Sequence, residues 1–382
     1  MSVSEINPVE RRKAGIRKWN RYQADHLPAW IAEHDFGSPP AVNKRLQELV
    51  KAEAFGYHDS EEKIGTAFSY WTTLRHSWTP DPNLILPVSD VLQGIWACIQ
   101  TLSKPGETII YSTPVYPPFL DAPTTTDRKA LNWPMIHDSN GWQYDFKSLK
   151  DLLIKDPNVS LLLLCNPQNP TGKVMKREEL KKIIELANEF NFFIISDEIH
   201  SDIVYPGAVH LPTLSFPEAS ECTVTVTSGV KTFALGGMRC AVVVAGNQDL
   251  FERLSNIPKY LLGGINRMGC EAAIEAWRTG NTWVDELLKI LNENRHYLVD
   301  RLSNDLPQIN FHLPESTFLA WLDFSHYKAD YEISKWLRDR TTVACGSGPK
   351  FGAGGENHLR LTFGTNQNLL KKIIDRIVAG LT

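Results

Sequence analysis

Apolar residues recur along this chain in two rhythms, and the alternation between them sketches the fold. Val159 to Cys165 is a near-continuous apolar run, as expected for a parallel strand buried on both faces. Phe192 to Ser196, Cys222 to Thr227 and Cys240 to Ala245 read the same way, and Leu84 to Leu86 and Thr108 to Tyr111 are shorter strand candidates. Helical spacing separates them. It runs from about Val42 to Ala54, from Glu61 to Trp78, from Asp90 through Ile99, and from Arg177 to Phe190. In the last of these Leu180, Ile183, Ile184 and Ala187 share one face. Strands alternating with helices predict an α/β fold whose mostly parallel sheet is covered on both sides.

The rhythm changes towards the C-terminus. Long helices are expected from about Asp249 to Asn304, followed by short strands at Phe318 to Phe324 and His358 to Phe363. Helices from Tyr331 to Arg340 and from Gln367 onward complete the region. This predicts a smaller α+β domain, joined by the N-terminal segment in which Leu27 to Phe36 is extended and Gly37-Ser38-Pro39-Pro40 closes it. The expected division is a large domain over 46–275 and a small one from 1–45 and 276–382.

Composition narrows the class. At 382 residues, 42% hydrophobic and 22% charged, the chain is an ordinary globular one with length for two domains. A net charge of −4 leaves no footprint for nucleic acid or an anionic membrane, and no apolar run approaches the ~18 residues of a membrane span. Arg11-Arg12-Lys13 with Arg17 and Lys18 reads as a solvated segment. The six cysteines (Cys98, Cys165, Cys222, Cys240, Cys270 and Cys345) are dispersed without metal-binding spacing. Reduced core thiols, no metal site and a cytoplasmic location are expected.

Candidate chemistry gathers where strands end, the place at which open α/β sheets bind ligands. Ser228-Gly229-Val230-Lys231 follows an apolar strand, with Gly236-Gly237-Met238-Arg239 beyond. Lys231 suits a solvated strand end, or a desolvated amine that condenses with a carbonyl compound or pyridoxal phosphate. Ser228 and Arg239 could then hold a phosphate. Asn166-Pro167-Gln168-Asn169-Pro170-Thr171-Gly172 is a rigid loop after the Val159 strand. Asp197, after the next, needs a cationic partner, which a protonated pyridine nitrogen would be; His200 could touch the same ring. Asp90-Val91-Leu92 opens a helix whose free N–H groups suit phosphate, and Tyr116 could stack on a flat ring.

Taken in order, Asn-Pro-x-Asn-Pro-Thr-Gly, Ser-Asp-Glu-Ile-His, Ser-x-x-Lys-Thr-Phe and Arg360-Leu361-Thr362-Phe363-Gly364 resemble the fold-type I pyridoxal-phosphate enzymes, within the class I/II aminotransferase-like group. Trp30-Ile-Ala-Glu-His-Asp-Phe with Ser38-Pro39-Pro40, and Thr113-Pro-Val-Tyr-Pro-Pro-Phe, resemble the cystathionine β-lyase branch, the MalY/PatB-type C–S lyases. The resemblance spans nearly the whole chain. It implies a large domain with a sheet of seven-stranded type and a homodimer with shared sites, alone or as a dimer of dimers. It further implies that Lys231 forms the Schiff base, Asp197 pairs with the ring nitrogen, Asn169 and His200 lie at the ring hydroxyl, and Tyr116 stacks on the ring. The amides of Val91 and Leu92, Ser228 and Arg239 would hold the phosphate, and Tyr57 would reach the neighbouring subunit's phosphate. Arg360 would clamp the substrate carboxylate, with Asp35 and Tyr57 also at the substrate.

Six positions, at four places, depart from the branch. Glu33-His34 replaces the usual Asp-Met, Gly229-Val230 stands where Pro-Ser is commoner, Asp90 where glycine is frequent, and Arg239 where many of these lyases carry no arginine. The implied activity is β-elimination from an S-substituted L-cysteine, giving pyruvate, ammonia and a thiol. The core motifs equally suit an aminotransferase, and a PLP-fold protein with an added regulatory binding role is the third reading.

Overall fold

Strands that are apolar on both faces have to lie inside a sheet with helices above and below, and they do. The computed structural model describes residues 3–382, the side chains of residues 259 and 260 excepted. Its strands are β1 (Leu27–Ala29), β2 (Ile85–Val88), β3 (Thr108–Tyr111), β4 (Lys129–Asn132), β5 (Ile136–Asp138), β6 (Gly141–Gln143) and β7 (Val159–Cys165). They continue as β8 (Phe193–Asp197), β9 (Thr223–Thr227), β10 (Ala241–Ala245), β11 (Leu319–Asp323), β12 (Val343–Ser347) and β13 (His358–Thr362).

Seven strands form one sheet in the order β2-β10-β9-β8-β7-β3-β4. Strands β9, β8, β7, β3 and β4 are parallel, and β10 runs against both of its neighbours. Along β7, Leu161 and Leu163 pack with Ile95 and Ile99 of the helix Val91–Leu102. Leu162 and Leu164 pack on the other face with Leu180, Ile183 and Ile184 of the helix Arg177–Phe190. Both faces of the strand are therefore core, which is why its sequence does not alternate.

The register places Cys165 beside Asp197 and Asp197 beside Val226, so β7, β8 and β9 finish level. Because β10 is reversed, it begins at the edge where they end. Strand β2, antiparallel to β10, again ends there. One edge of the sheet thus receives polar loops from β2, β3, β7, β8 and β9 and the entry to β10.

A second sheet, β1-β12-β13-β11, joins the two ends of the chain, with Leu27 opposite Val343 and Trp321 opposite Arg360. The helices Ile333–Thr341 and Gln367–Leu381 contribute Leu337, Ile373 and Ile374 to its core. All six cysteines are unpaired and buried. Among the described residues, no helix is long and apolar enough to cross a membrane.

Some details differ from the sequence reading. Pro117–Thr125, where the apolar rhythm indicated no helix, is helical: prolines at the first helical positions favour a start there, having no N–H to lose. The helix expected from Glu61 begins as a 3-10 turn, Ser60–Lys63, and its α-helical part is Ile64–His76, closed by Ser77 at φ 52°. The edge strand β4 and the hairpin β5–β6 carry too many exposed positions to show an apolar rhythm.

Candidate active site

The loops at the common edge enclose a cavity of about 210 Å³, lined among others by Asp90, Val91, Leu92, Tyr116, Asn169, Asp197, His200, Ser228, Lys231 and Arg239. Ten residues singled out from sequence therefore meet around one space. Each is delivered by its own strand or turn.

The loop after β7 is held by its own side chains. Gln168 accepts hydrogen bonds from the backbone N–H of Thr171 (2.9 Å) and from its hydroxyl (2.7 Å), and Asn166 accepts one from Met175 N–H (3.0 Å). Gly172 sits at φ +74°, where a Cβ would lie 2.6 Å from Pro314, so no other residue fits this turn. The result is a buried, fixed Asn169, whose Oδ1 accepts from Arg360 Nη1 at 3.0 Å. Arg360 itself comes from β13. Its Nη2 donates to Trp30 O (3.2 Å) and its guanidinium lies over Phe351, 4.9 Å from the ring centre. It stands behind Asn169 rather than on the cavity wall, and burial lowers its pKa to about 10.

At the end of β8 two adjacent carboxylates have opposite environments. Glu198 is saturated by Ser196 Oγ (3.0 Å), Thr213 N–H (2.9 Å) and His210 Nε2 (3.1 Å). Despite burial, its pKa lies below the ordinary carboxylate value. Asp197 accepts one hydrogen bond, from Ile199 N–H at 3.1 Å. Burial, the largest influence, pushes it up to about 7, opposed by that bond and by Lys231 and assisted by Glu198. A buried carboxylate so poorly compensated is built to meet a cation. His200, also buried, leaves Nδ1 without a partner, and burial drops its pKa to about 3, so the ring is neutral at pH 7.

Beyond β9, Ser228 Oγ donates to Cys240 O (2.5 Å) and accepts from Val230 N–H (3.2 Å). Gly229 packs where a Cβ would come 2.9 Å from Phe233, which accounts for glycine there. Lys231 Nζ donates to the carbonyl of Ala32 at 2.8 Å. Burial first, then Arg360, lowers its pKa to about 8, with Glu33 and Asp197 opposing. At pH 7 about a tenth of this amine is therefore unprotonated, far more than for an ordinary lysine. Burial also raises the Tyr116 pKa, with Asp197 adding to it, so the phenol keeps its proton.

At the other end, Asp90 caps the helix Val91–Leu102 by accepting Gln93 N–H (2.8 Å), and its second oxygen pairs with Arg239. Val91 and Leu92, whose amides have no intrahelical acceptor, line the cavity with Ser228 and Arg239.

Two expected site residues lie elsewhere. Asp35 is off the cavity wall, buried against Lys18 Nζ (2.8 Å) and Trp19 Nε1 (3.1 Å). Its carboxylate ties the N-terminal segment down, and this placement lends no support to the expectation that it meets substrate. Tyr57 is fully exposed, at 107% of its reference area, and touches no part of this cavity.

Sequence reasoning missed two supports of the lysine. Ala32 acts through its carbonyl, which no sequence motif reveals. His34, one of the departures, accepts Phe36 N–H on Nδ1 (3.3 Å), so Nε2 carries the proton and donates to Thr232 O (3.1 Å), beside Lys231. Thr232 Oγ1 in turn donates to buried Asp202 (2.9 Å), which also receives Trp71 Nε1 (3.0 Å) and pairs with His76 (3.1 Å). Only the unusual His34 offered a signal.

Comparison with known proteins fixes the class. Residues 34–377 match the family "Aminotransferase class I and II", and the chain belongs to that family. Within it, the chain is 32% identical to "Cystathionine beta-lyase PatB" of Bacillus subtilis, over 94% of this chain and 93% of that protein. It is 30% identical to the "Cystathionine beta-lyase" of Corynebacterium glutamicum over the full length of both. Cystalysin from Treponema denticola, whose crystal structure contains pyridoxal 5'-phosphate, superposes with a TM-score of 0.94 at 26% identity. That match covers 100% of this chain and 99% of the other. The residues here fit such a cofactor. A desolvated lysine, a carboxylate lacking a cation and a neutral histidine with a bare ring nitrogen gather at one end of the cavity, and free helix amides at the other.

Proposed function

We propose that this chain is a pyridoxal-phosphate-dependent carbon–sulfur β-lyase acting on L-cystathionine or related S-substituted L-cysteines, releasing pyruvate, ammonia and a thiol. The convergence of Lys231, Asp197, Asn169 and Tyr116 on one cavity, with Arg360 behind it, carries this reading. When bound, the cofactor supplies an electron sink for the electrons left at Cα.

The chain's own residues do the rest. Lys231 would hold the cofactor and would take the Cα proton on Nζ; its lowered pKa suits that task. Asp197 would hold a proton on the ring nitrogen opposite it, and that cation would bring its own pKa back down. Asn169 and His200 would meet the ring hydroxyl, and Tyr116 would cover the ring face. Arg360 would fix the substrate carboxylate with its fork, exchanging its contacts with Asn169 and Trp30 for that anion. With Cα–H and then Cβ–S broken, the proton passes to the thiolate, and water hydrolyses the released aminoacrylate to pyruvate and ammonia.

Tyr57, fully exposed here, supports a homodimer in which it reaches the phosphate of the neighbouring site. The unpaired buried thiols support a reducing, cytoplasmic setting. The sheet shared by both termini supports the division into 46–275 and 1–45 with 276–382. The test is incubation of the purified protein with cystathionine, with pyruvate and keto-acid products assayed separately. Stoichiometric conversion of an added keto acid into its amino acid, without pyruvate, would make it an aminotransferase instead.

A further inference from the structure

One end of the cavity is assembled for an anion, yet a carboxylate stands in it. Val91 and Leu92, which open the helix Val91–Leu102, line this cavity with Ser228 and Arg239, and Asp90 lines the wall beside them. One carboxylate oxygen of Asp90 accepts Gln93 N–H (2.8 Å) and the other is paired with Arg239. The pair is partly solvent-exposed, 28% for the Asp90 side chain and 65% for that of Arg239, so neither charge is buried beyond recovery.

The helix needs a cap at position 90, but it does not need a charge: asparagine and serine cap as well as aspartate. What the charge adds is a second anion at a site for a first. Through Arg239 it also cancels the one side-chain cation that, among the described residues, lines this end. The protonated lysine belongs to the other end, on Ala32 O.

We propose that Asp90 sets how firmly the protein holds its cofactor: it competes with the phosphate group for Arg239, leaving the cofactor exchangeable. This rests on the phosphate-end assignment given above and not on the lyase reading. A cap residue without charge, in the same geometry, lets Arg239 turn wholly to the phosphate.

The test uses the full-length holoprotein, dialysed free of cofactor and titrated back with pyridoxal phosphate or with pyridoxal, which lacks the phosphate; visible absorbance gives each Kd. Asp90→Asn, and Asp90→Ser as a second capping variant, should tighten pyridoxal phosphate by about five- to tenfold, the scale of one partly exposed charge interaction. Pyridoxal should stay within about twofold of wild type. In an Arg239→Gln background the gain from Asp90→Asn should shrink to about twofold or less. The proposal is overturned if both Asp90 variants leave pyridoxal phosphate unchanged or weaker, if pyridoxal gains equally, or if the gain survives undiminished without Arg239. If the wild type binds both compounds alike, the phosphate-end assignment itself fails and the proposal falls with it.

Discussion

Asp197→Asn should make the cofactor-free protein more stable at pH 8 while removing most of its activity. The Asp197 carboxyl titrates at about 7 in the fold against an unfolded value near 3.9. An acid whose folded pKa is raised binds more protons folded than unfolded between those values, so stability falls as pH rises from about 4 to 7 and levels off above. Three pKa units correspond to about 4 kcal/mol, of which roughly half survives the relaxation and water penetration that buried charges provoke. Asparagine has the same shape and never ionises. The gain at pH 8 should therefore be about 2 kcal/mol, or ~2–3 °C in Tm for a chain of this size. At pH 5 it should shrink to about a third, because the folded carboxyl is then already neutral. Thermal melts of both proteins, stripped of cofactor, at the two pH values measure this directly. Adding pyridoxal phosphate should reverse the order, since the ring nitrogen meets a charge in one protein and an amide in the other. Turnover should fall on the order of 10²-fold or more in the variant. No gain at pH 8, or a gain at pH 5 as large as that at pH 8, would refute the reasoning.

Other expectations follow from the same site. Arg360→Lys loses the fork that reaches Asn169 and Trp30, and kcat/KM should drop on the order of 10²-fold by the same factor for cystathionine and for S-methylcysteine; a loss for one substrate alone would remove Arg360 from the α-carboxylate. Lys231→Ala should abolish both turnover and the borohydride-reducible cofactor adduct, and a surviving adduct would point to another lysine. Tyr57→Phe should weaken cofactor retention, and mixing it with Lys231→Ala should restore activity on subunit exchange, half the heterodimer sites being intact. Absence of recovery, with exchange demonstrated, would mean that each site is made by one chain.

The large sheet was legible because its strands are apolar on both faces and each ends in a polar motif: Val159–Cys165, Thr108–Tyr111 and the helix Arg177–Phe190 fall where the rhythm put them. Lys231, Asp197 and Asn169 were readable for the same reason, since a charged or amide side chain directly after a buried run needs a purpose. What stayed hidden acts through backbone or through distant partners. The carbonyl of Ala32 has no residue signature, and nothing in the sequence tied Asp35 to Lys18 and Trp19, which enclose it. The tension at Asp90 was visible, but its relief was not, because the pairing with Arg239 depends on a reversed strand bringing the two together.

The pairing of β1 with β12 has a consequence in time. Leu27 leaves the ribosome long before its partner Val343. At usual rates of synthesis the wait is roughly 15–60 s. Every strand of the large sheet, with Asn169, Asp197 and Lys231, is complete well before it ends. Neither the segment holding Trp30 and Ala32 nor Arg360 can take its place until β12 and β13 appear. The nascent chain can thus shape a pocket for its cofactor early, while the groups that reach over it arrive together, once β12 and β13 have been made.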